Sequence, residues 1–216
     1  MLNLHPAPRS GCRRRRARGQ ALVEFALTFP ILLIMMMGFL EFAFMYNALL
    51  SAGHATRDSA LIAAEAGNAA SADCLILRAV EKDMTAPVRP AQIQQVQIYL
   101  TDAYGNYLDT SGNITTDGAL NQAVDTYTRT GSTSCLLADL STLTVPYSIQ
   151  GSVNYDPTTR CNVVAGCPDA TRPLDTIAVR ITYRHTWVTP LSNLVNLAGS
   201  GATLVQSHAA RMEPVL

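Results

Sequence analysis

The sequence predicts an α+β protein in which a long N-terminal transmembrane helix, at about residues 21–66, precedes a small extracytoplasmic domain with a helix packed on an antiparallel sheet. Three observations predict this class. An arginine-rich start leads into a 20-residue apolar stretch at 25–44, which is long enough to cross a membrane. The residues after it keep a helical pattern up to residue 66. Segments beyond residue 90 alternate between apolar and polar side chains, as strands do.

Charge is distributed unevenly along the chain, although the formal net charge is zero. Residues 1–18 contain six arginines and no acidic residue, so the rest of the chain is acidic overall. Short arginine-rich flanks stay in the cytoplasm, which predicts an N-terminus inside and everything after about Tyr46 outside. A nuclear or nucleic-acid patch is the alternative for this run, but the body has no basic excess, so we expect no nucleic-acid partner. The residues of the predicted topology signal are Arg13, Arg14, Arg15, Arg16 and Arg18.

These signals predict four regions. They are a basic cytoplasmic leader at 1–19, a transmembrane helix at 20–46, an extracytoplasmic continuation of that helix at 47–67, and a periplasmic α+β domain at 68–216. Glu41 is the only charged residue in 25–44, and we expect it near the far end of the span, within reach of water. A cleaved secretory signal is the alternative, but its apolar region is usually about 7–15 residues and ends at a cleavage site. Here the apolar stretch is longer, and the helical pattern continues past it.

Glu24 lies at the edge of the apolar stretch, where a carboxylate costs about 2–3 kcal/mol if it is driven toward the bilayer centre. One interpretation is that Glu24 reaches the headgroups and pairs with Arg18. Another begins at Gly19, because a cut after this residue would give Gln20 a charged N-terminal amine. Gln20 and Glu24 are four residues apart and share a helix face. Cleavage would then supply a cation to the carboxylate of the same chain or of a neighbouring subunit.

The string Gly19-Gln20-Ala21-Leu22-Val23-Glu24-Phe25 resembles the prepilin-peptidase site of type IV pilins and pseudopilins. That pattern is a basic leader ending in glycine, a cut, a glutamate at the fifth mature position and an aromatic residue at the sixth. The longer string RGQALVEFALTFPILLIMMMGFLEFAFMYN resembles the TadE-like proteins of the tight-adherence (Tad/Flp) pilus system. The resemblance extends through Gly38 and Glu41 to the small-residue helix at 52–67.

The resemblance implies a membrane-anchored component needed to assemble Flp pili in adhesion and biofilm formation, located in the bacterial inner membrane. It implies that Gly19 and Gln20 form the cleavage site and that Glu24 and Phe25 form the processing and assembly motif. The implied partners are the inner membrane, a prepilin peptidase, other pilin or pseudopilin subunits, and the pilus assembly platform. Two alternatives stay open: an uncleaved membrane-anchored periplasmic interaction protein, and a membrane-tethered enzyme or solute-binding domain.

The second half of the predicted helix carries a face of small residues at three- and four-residue steps. These residues are Ala48, Ala52, Ala55, Ser59 and Ala63. Such a face allows close packing, either on the chain's own domain or on a helix of another subunit.

Beyond residue 67 the pattern predicts a short α+β domain. A second helix is expected at 71–84, with Ser71 as its cap and prolines after its end. Strands are expected at 93–100, 143–155, 176–187 and 202–212, with a turn at 102–106, an exposed insertion at 109–134 and a short helix at 190–197. The final residues 211–214 (RMEP) also resemble TadE-like C-termini.

Five cysteines are present, and Cys12 lies in the predicted leader. The other four fall on the outer side, where disulfides form, and they allow three pairings. Cys161 and Cys167 bracket a short loop that closes easily. The favoured arrangement therefore joins these two and pairs Cys74 with Cys135.

The sequence contains no recognisable catalytic, nucleotide-binding or zinc-binding motif. Its four histidines are far apart in the chain, and no nucleophile or metal-ligand spacing accompanies them. We therefore expect no enzymatic activity, no cofactor and no metal.

Overall fold

The computed structural model describes residues 14–85, 88–163, 166–167, 173–190 and 201–212. The helices are α1 (Arg14–Ala66) and α2 (Ala72–Asp83). The strands are β1 (Ile93–Thr101), β2 (Val124–Thr128), β3 (Thr133–Leu136), β4 (Thr142–Val145), β5 (Ser148–Ile149), β6 (Thr176–Thr186) and β7 (Gly201–Arg211). A long apolar helix followed by a small domain with a helix and antiparallel sheets confirms the predicted α+β class.

Helix α1 runs for 53 residues without interruption, which is about 80 Å at the usual rise per residue. It begins at Arg14, earlier than predicted, because the arginines and alanine before Gly19 are good helix formers. Pro30 lies inside the helix without ending it. The helix ends at Ala66 and is followed by Gly67, whose φ of +59° suits a glycine. A Cβ on Gly67 would come within 2.9 Å of Asn162 Nδ2, so a larger residue here would also require the Asn162 side chain to move.

The main sheet has five antiparallel strands in the order β5-β2-β1-β6-β7, while β3 and β4 form a separate hairpin. Central strand β1 lies between β2 and β6, which explains why most of its side chains are buried. Strand β7 pairs with β6 along its whole length. The strands predicted at 93–100, 176–187 and 202–212 are confirmed within one residue at each end.

Strand β6 runs back along the second half of α1 toward the exposed half of that helix. Just before the start of β6, the Asp175 amide donates to the Cys161 carbonyl, and neighbouring Asn162 contacts Gly67 at the end of α1. At the other end of β6, His185 contacts Glu41 of α1. The helix from Glu41 to its last residue rises about 37 Å, and an 11-residue strand spans about 36 Å. The sheet therefore lines α1 from Glu41 to its end.

The small-residue face of α1 is buried within the chain's own domain. It packs against α2, β6 and β7, where small side chains let the backbones approach closely. Its members are Ala48, Ala52, Ala55, Ser59 and Ala63, each at most 2 % exposed. Of the two partners left open by the sequence, the structure supports the domain, since a buried face offers no surface to another subunit.

Helix α2 lies within one residue of its predicted position. Its stripe Ile76, Leu77 and Val80 is fully buried in the core. Ser71 stands at the N-cap position as expected, but its side chain makes no capping hydrogen bond. The predicted helix at 190–197 and the ending at 211–214 fall largely outside the described residues.

The prediction of one exposed insertion at 109–134 is wrong. The segment contains β2, which pairs with β1, and the start of β3. Strand β2 was missed because its buried positions hold Asp125 and Tyr127 rather than aliphatic residues. Burial of these polar groups is possible because each has hydrogen-bond partners: Asp125 Oδ1 accepts from the Asn154 and Tyr155 amides, and the Tyr127 hydroxyl donates to Asp73.

The prediction of a single strand at 143–155 is also wrong. The region holds two short strands, β4 and β5, followed by irregular chain. Pro146 separates the strands because it has no N–H for a ladder, and Gly151 turns the chain with a φ of +87°. The amides that follow are bound by the Asp125 carboxylate instead of a neighbouring strand.

A buried polar cluster holds the irregular chain around residue 160 onto the domain. The fully buried Arg160 guanidinium lies 2.6 Å from Asp73 Oδ1 and donates to the Tyr155 carbonyl at 3.0 Å. The Tyr127 hydroxyl donates to the other Asp73 oxygen at 2.8 Å. Burial raises the pKa of Tyr127, and the negative charge of Asp73 adds to the shift, so this hydroxyl stays a donor.

Both favoured cysteine pairs are brought to disulfide distance. Cys74 and Cys135 have Cα atoms 6.3 Å apart and join α2 to β3, while Cys161 and Cys167 have Cα atoms 4.3 Å apart across a short loop. The first pair fixes the hairpin of β3 and β4 to the start of α2, beside Asp73 of the polar cluster.

Candidate membrane anchor and assembly site

The first half of α1 presents apolar side chains to its surroundings instead of to a protein core. An 18-residue stretch within Gly19–Ala66 has a mean hydropathy of 2.1, and none of its residues is buried within the described chain. Phe25, Leu27 and Phe39 are each more than 60 % exposed. A core helix of a water-soluble protein buries such residues, so this exposed surface fits a single-pass membrane anchor.

The predicted cleavage and assembly residues lie at the start of this surface. Gly19, Gln20, Glu24 and Phe25 are all exposed and lie in the first turns of α1. The Gln20 side-chain amide donates to Glu24 Oε1 at 3.1 Å, which places the two side chains on one face as their spacing predicts. A Cβ on Gly19 would meet no atom within 4 Å, so no fold contact requires a glycine at this position.

The side chains of the predicted topology signal lie outside the described part of the structure. Arg13 lies outside the described residues, and the backbone of Arg14, Arg15, Arg16 and Arg18 belongs to α1. Nothing is described of their side chains, so their role in orienting the span stays a prediction.

Glu41 lies in a different environment from the one expected. The sequence suggested a carboxylate within reach of water, and this is wrong, because Glu41 is only 4 % exposed. Its Oε1 accepts from the Val188 amide at 2.9 Å and lies 3.2 Å from His185 Nε2, while its Oε2 accepts from the Thr189 amide at 2.8 Å. The end of β6 and the following loop therefore close over this carboxylate.

The contacts of Glu41 connect the anchor half of α1 to the outer domain, and we call this arrangement the Glu41 clamp (Glu41, His185, Val188 and Thr189). One carboxylate accepts from two partly buried backbone amides, and such charge-assisted bonds are the stronger kind. Sequence reasoning named Glu41 but missed the clamp. A carboxylate inside an apolar run is costly unless it is paired, and this cost was the available signal.

A cavity of about 440 Å³ lies beside the Glu41 clamp, between α1 and the end of β6. Aromatic residues Phe44, Tyr183 and Trp187 line it together with Arg89 and Val188. The ring of Trp187 stands at an edge-to-face angle to that of His185, with 5.9 Å between ring centroids. Apolar, aromatic and cationic groups thus meet where the exposed part of α1 joins the domain.

Comparison with protein families gives a match over part of α1. The model described as TadE-like protein matches residues 19–61, which begin at the predicted cleavage glycine and end within the buried half of α1. Neither curated proteins nor solved structures give a match. The match suggests a pilus-associated membrane protein of the Tad system. Over residues 19–61 it confirms the predicted resemblance and is consistent with a TadE-like protein of the tight-adherence system.

Proposed function

We propose that this chain is a membrane-anchored, pseudopilin-like component that assembles tight-adherence (Flp) pili and that a prepilin peptidase cleaves after Gly19. The observation that carries the proposal is the TadE-like match on a helix whose apolar surface is exposed from the cleavage motif onward. In this proposal the chain is a substrate and a structural partner, and it has no catalytic role.

The proposed orientation has the N-terminus in the cytoplasm and the outer domain on the periplasmic side of the inner membrane. The arginine-rich flank supports this orientation, since basic residues stay on the cytoplasmic side. The two outer cysteine pairs at disulfide distance also support it, because disulfides persist in oxidising compartments.

The packing of α1 favours retention of the helix over removal as a secretory signal. Ala52 and Ala55, which follow the anchor half, lie in the core of the outer domain. A signal-peptidase cut near Ser51 would separate Glu41 and Ala48 from the domain that they pack on. A cut after Gly19 leaves all of these contacts in place.

Glu24 is proposed as the assembly residue. In the free chain Glu24 is exposed, and among the described side chains its partner is the neutral Gln20 amide. A carboxylate at the membrane edge gains from a cation, which this amide does not supply. Cleavage after Gly19 would create an amine four residues away. If this amine paired with the Glu24 carboxylate of a neighbouring subunit, the contact would fix the axial position of adjacent helices.

Intact-mass measurement of the membrane fraction tests the processing step. We expect a mature chain starting at Gln20 when the prepilin peptidase is present and an unprocessed chain when it is absent. Gly19→Ala should block the change in mass. Gly53→Ala is the matched control, because both glycines lie in α1 with open space for a Cβ. An unchanged N-terminus in the presence of active peptidase would refute processing and favour an uncleaved membrane-anchored interaction protein.

A further inference from the structure

We propose that the outer domain rests on the bilayer through a lipid-contact surface (Phe44, Arg89, Trp187 and Val188) that binds the phosphate of an anionic phospholipid headgroup. The inference rests on the proposed function in taking α1 as the membrane anchor, with Gly19 at the cytoplasmic boundary of the bilayer. It adds a specific contact between the domain and the lipid at the periplasmic surface.

The height of this surface follows from the length of the helix. From Gly19 to Glu41 the helix rises about 33 Å, and the hydrocarbon core of a bilayer is about 30 Å thick. With the cleavage motif at the cytoplasmic boundary, Glu41 stands at the outer boundary. Phe44 lies one turn further along the same helix, within the headgroup layer.

The Glu41 clamp holds the lipid-contact surface at this height. Its bonds to the Val188 and Thr189 amides attach the loop after β6 directly to the helix. The loop therefore cannot rise from the bilayer without breaking two charge-assisted hydrogen bonds to a buried carboxylate. Val188 is 63 % exposed although its amide is bound at a buried site, so its side chain points away from the domain core.

The chemistry of the surface matches a headgroup layer. Tryptophan and other aromatic residues are enriched where apolar chains meet headgroups, and Trp187 and Phe44 lie at that level. Arg89 is exposed beside the same cavity, and among the described residues no carboxylate forms an ion pair with it. A guanidinium recognises phosphate through paired N–H donors. The cavity of about 440 Å³ has room for such a group.

Trp187 is the chain's single tryptophan, so its fluorescence reports on this surface alone. The test uses the full chain in vesicles that contain anionic and zwitterionic phospholipids, with bromine placed either high or low on the acyl chain. We expect blue-shifted emission and stronger quenching by the high bromine than by the low one. The inference would be overturned if the protein floats with the vesicles after a carbonate wash but Trp187 emits as it does in water and neither bromine quenches it. Protein that fails to float would instead refute the membrane anchor.

Arg89 is tested by energy transfer from Trp187 to a dansyl-labelled anionic phospholipid, compared with a dansyl-labelled zwitterionic one. One basic residue near a membrane surface contributes about 1 kcal/mol, so Arg89→Gln should lower the preference for the anionic lipid about fivefold. Arg78→Gln is the matched control, because Arg78 is exposed on α2 and does not line this cavity. An equal preference in the Arg89 variant would overturn the assignment. Displacement of the lipid by millimolar inorganic phosphate would identify a free-phosphate site instead.

Discussion

Replacing Glu41 tests whether one carboxylate couples the anchor helix to the outer domain. Glu41→Ala removes the acceptor of two amide bonds and one contact with His185. An amide left without a partner costs about 1–3 kcal/mol when buried, and these two amides are partly buried, so their combined loss should be about 2–4 kcal/mol. Glu41→Gln keeps one accepting oxygen and should cost about 1–2 kcal/mol.

The measurement is hydrogen–deuterium exchange of the full chain in detergent micelles or nanodiscs, followed at the Val188 and Thr189 amides. A factor of ten corresponds to about 1.4 kcal/mol. Exchange of these amides should therefore accelerate by about two to three orders of magnitude in Glu41→Ala and by about tenfold in Glu41→Gln. The fall in protection should be confined to the loop after β6 unless the loss exceeds the domain's own stability.

Two other acidic residues of the same helix provide controls. Glu65 and Glu24 are exposed on α1 and do not contact the loop after β6 in the described structure. Their alanine variants should leave exchange of the Val188 and Thr189 amides unchanged. Normal protection of these amides in Glu41→Ala would refute the clamp, and with it the argument that fixes the height of the domain above the bilayer.

Two further predictions concern the outer domain. The Cys74–Cys135 pair closes a loop with a sequence separation of 61, so replacing both cysteines with serine should lower the free energy of unfolding by about 4 kcal/mol. Denaturant titration measures this loss, and an unchanged unfolding midpoint would mean that the pair is not bonded. Arg160→Ala should destabilise the domain by about 3–5 kcal/mol because it leaves the Asp73 carboxylate buried without its cation. The double variant with Asp73→Asn should recover part of that loss, and additive losses in the double variant would contradict the pairing.

The long helix and three of the main-sheet strands could be predicted because each has a regular pattern of apolar residues. Strand β2 could not be predicted, because Asp125 and Tyr127 occupy the buried positions that aliphatic side chains usually fill in a strand. Their burial depends on partners such as Asp73, which is 54 residues away from Tyr127. Local periodicity carries no information about such distant partners.

The Glu41 clamp was beyond prediction for the same reason. His185 is separated from Glu41 by 144 residues, and only the return of β6 along α1 brings the two together. The sequence did show that a carboxylate in an apolar run needs a partner, and it showed where that carboxylate lies. It could not show whether the partner is water, lipid, another subunit or the chain itself.

The structure separates the roles of the two carboxylates in the apolar part of α1. Glu41 is satisfied within the chain, because its oxygens are bound by the loop after β6 and are shielded from solvent. Glu24 lies 17 residues earlier, about 25 Å away along the helix, with the Gln20 side chain as its described partner. A carboxylate at the membrane edge gains from a cation, and among the described side chains the partner of Glu24 is a neutral amide. We therefore expect the proposed contact with a neighbouring subunit to form at Glu24 and not at Glu41, whose bonds to the loop after β6 keep the outer domain at a constant distance along the helix.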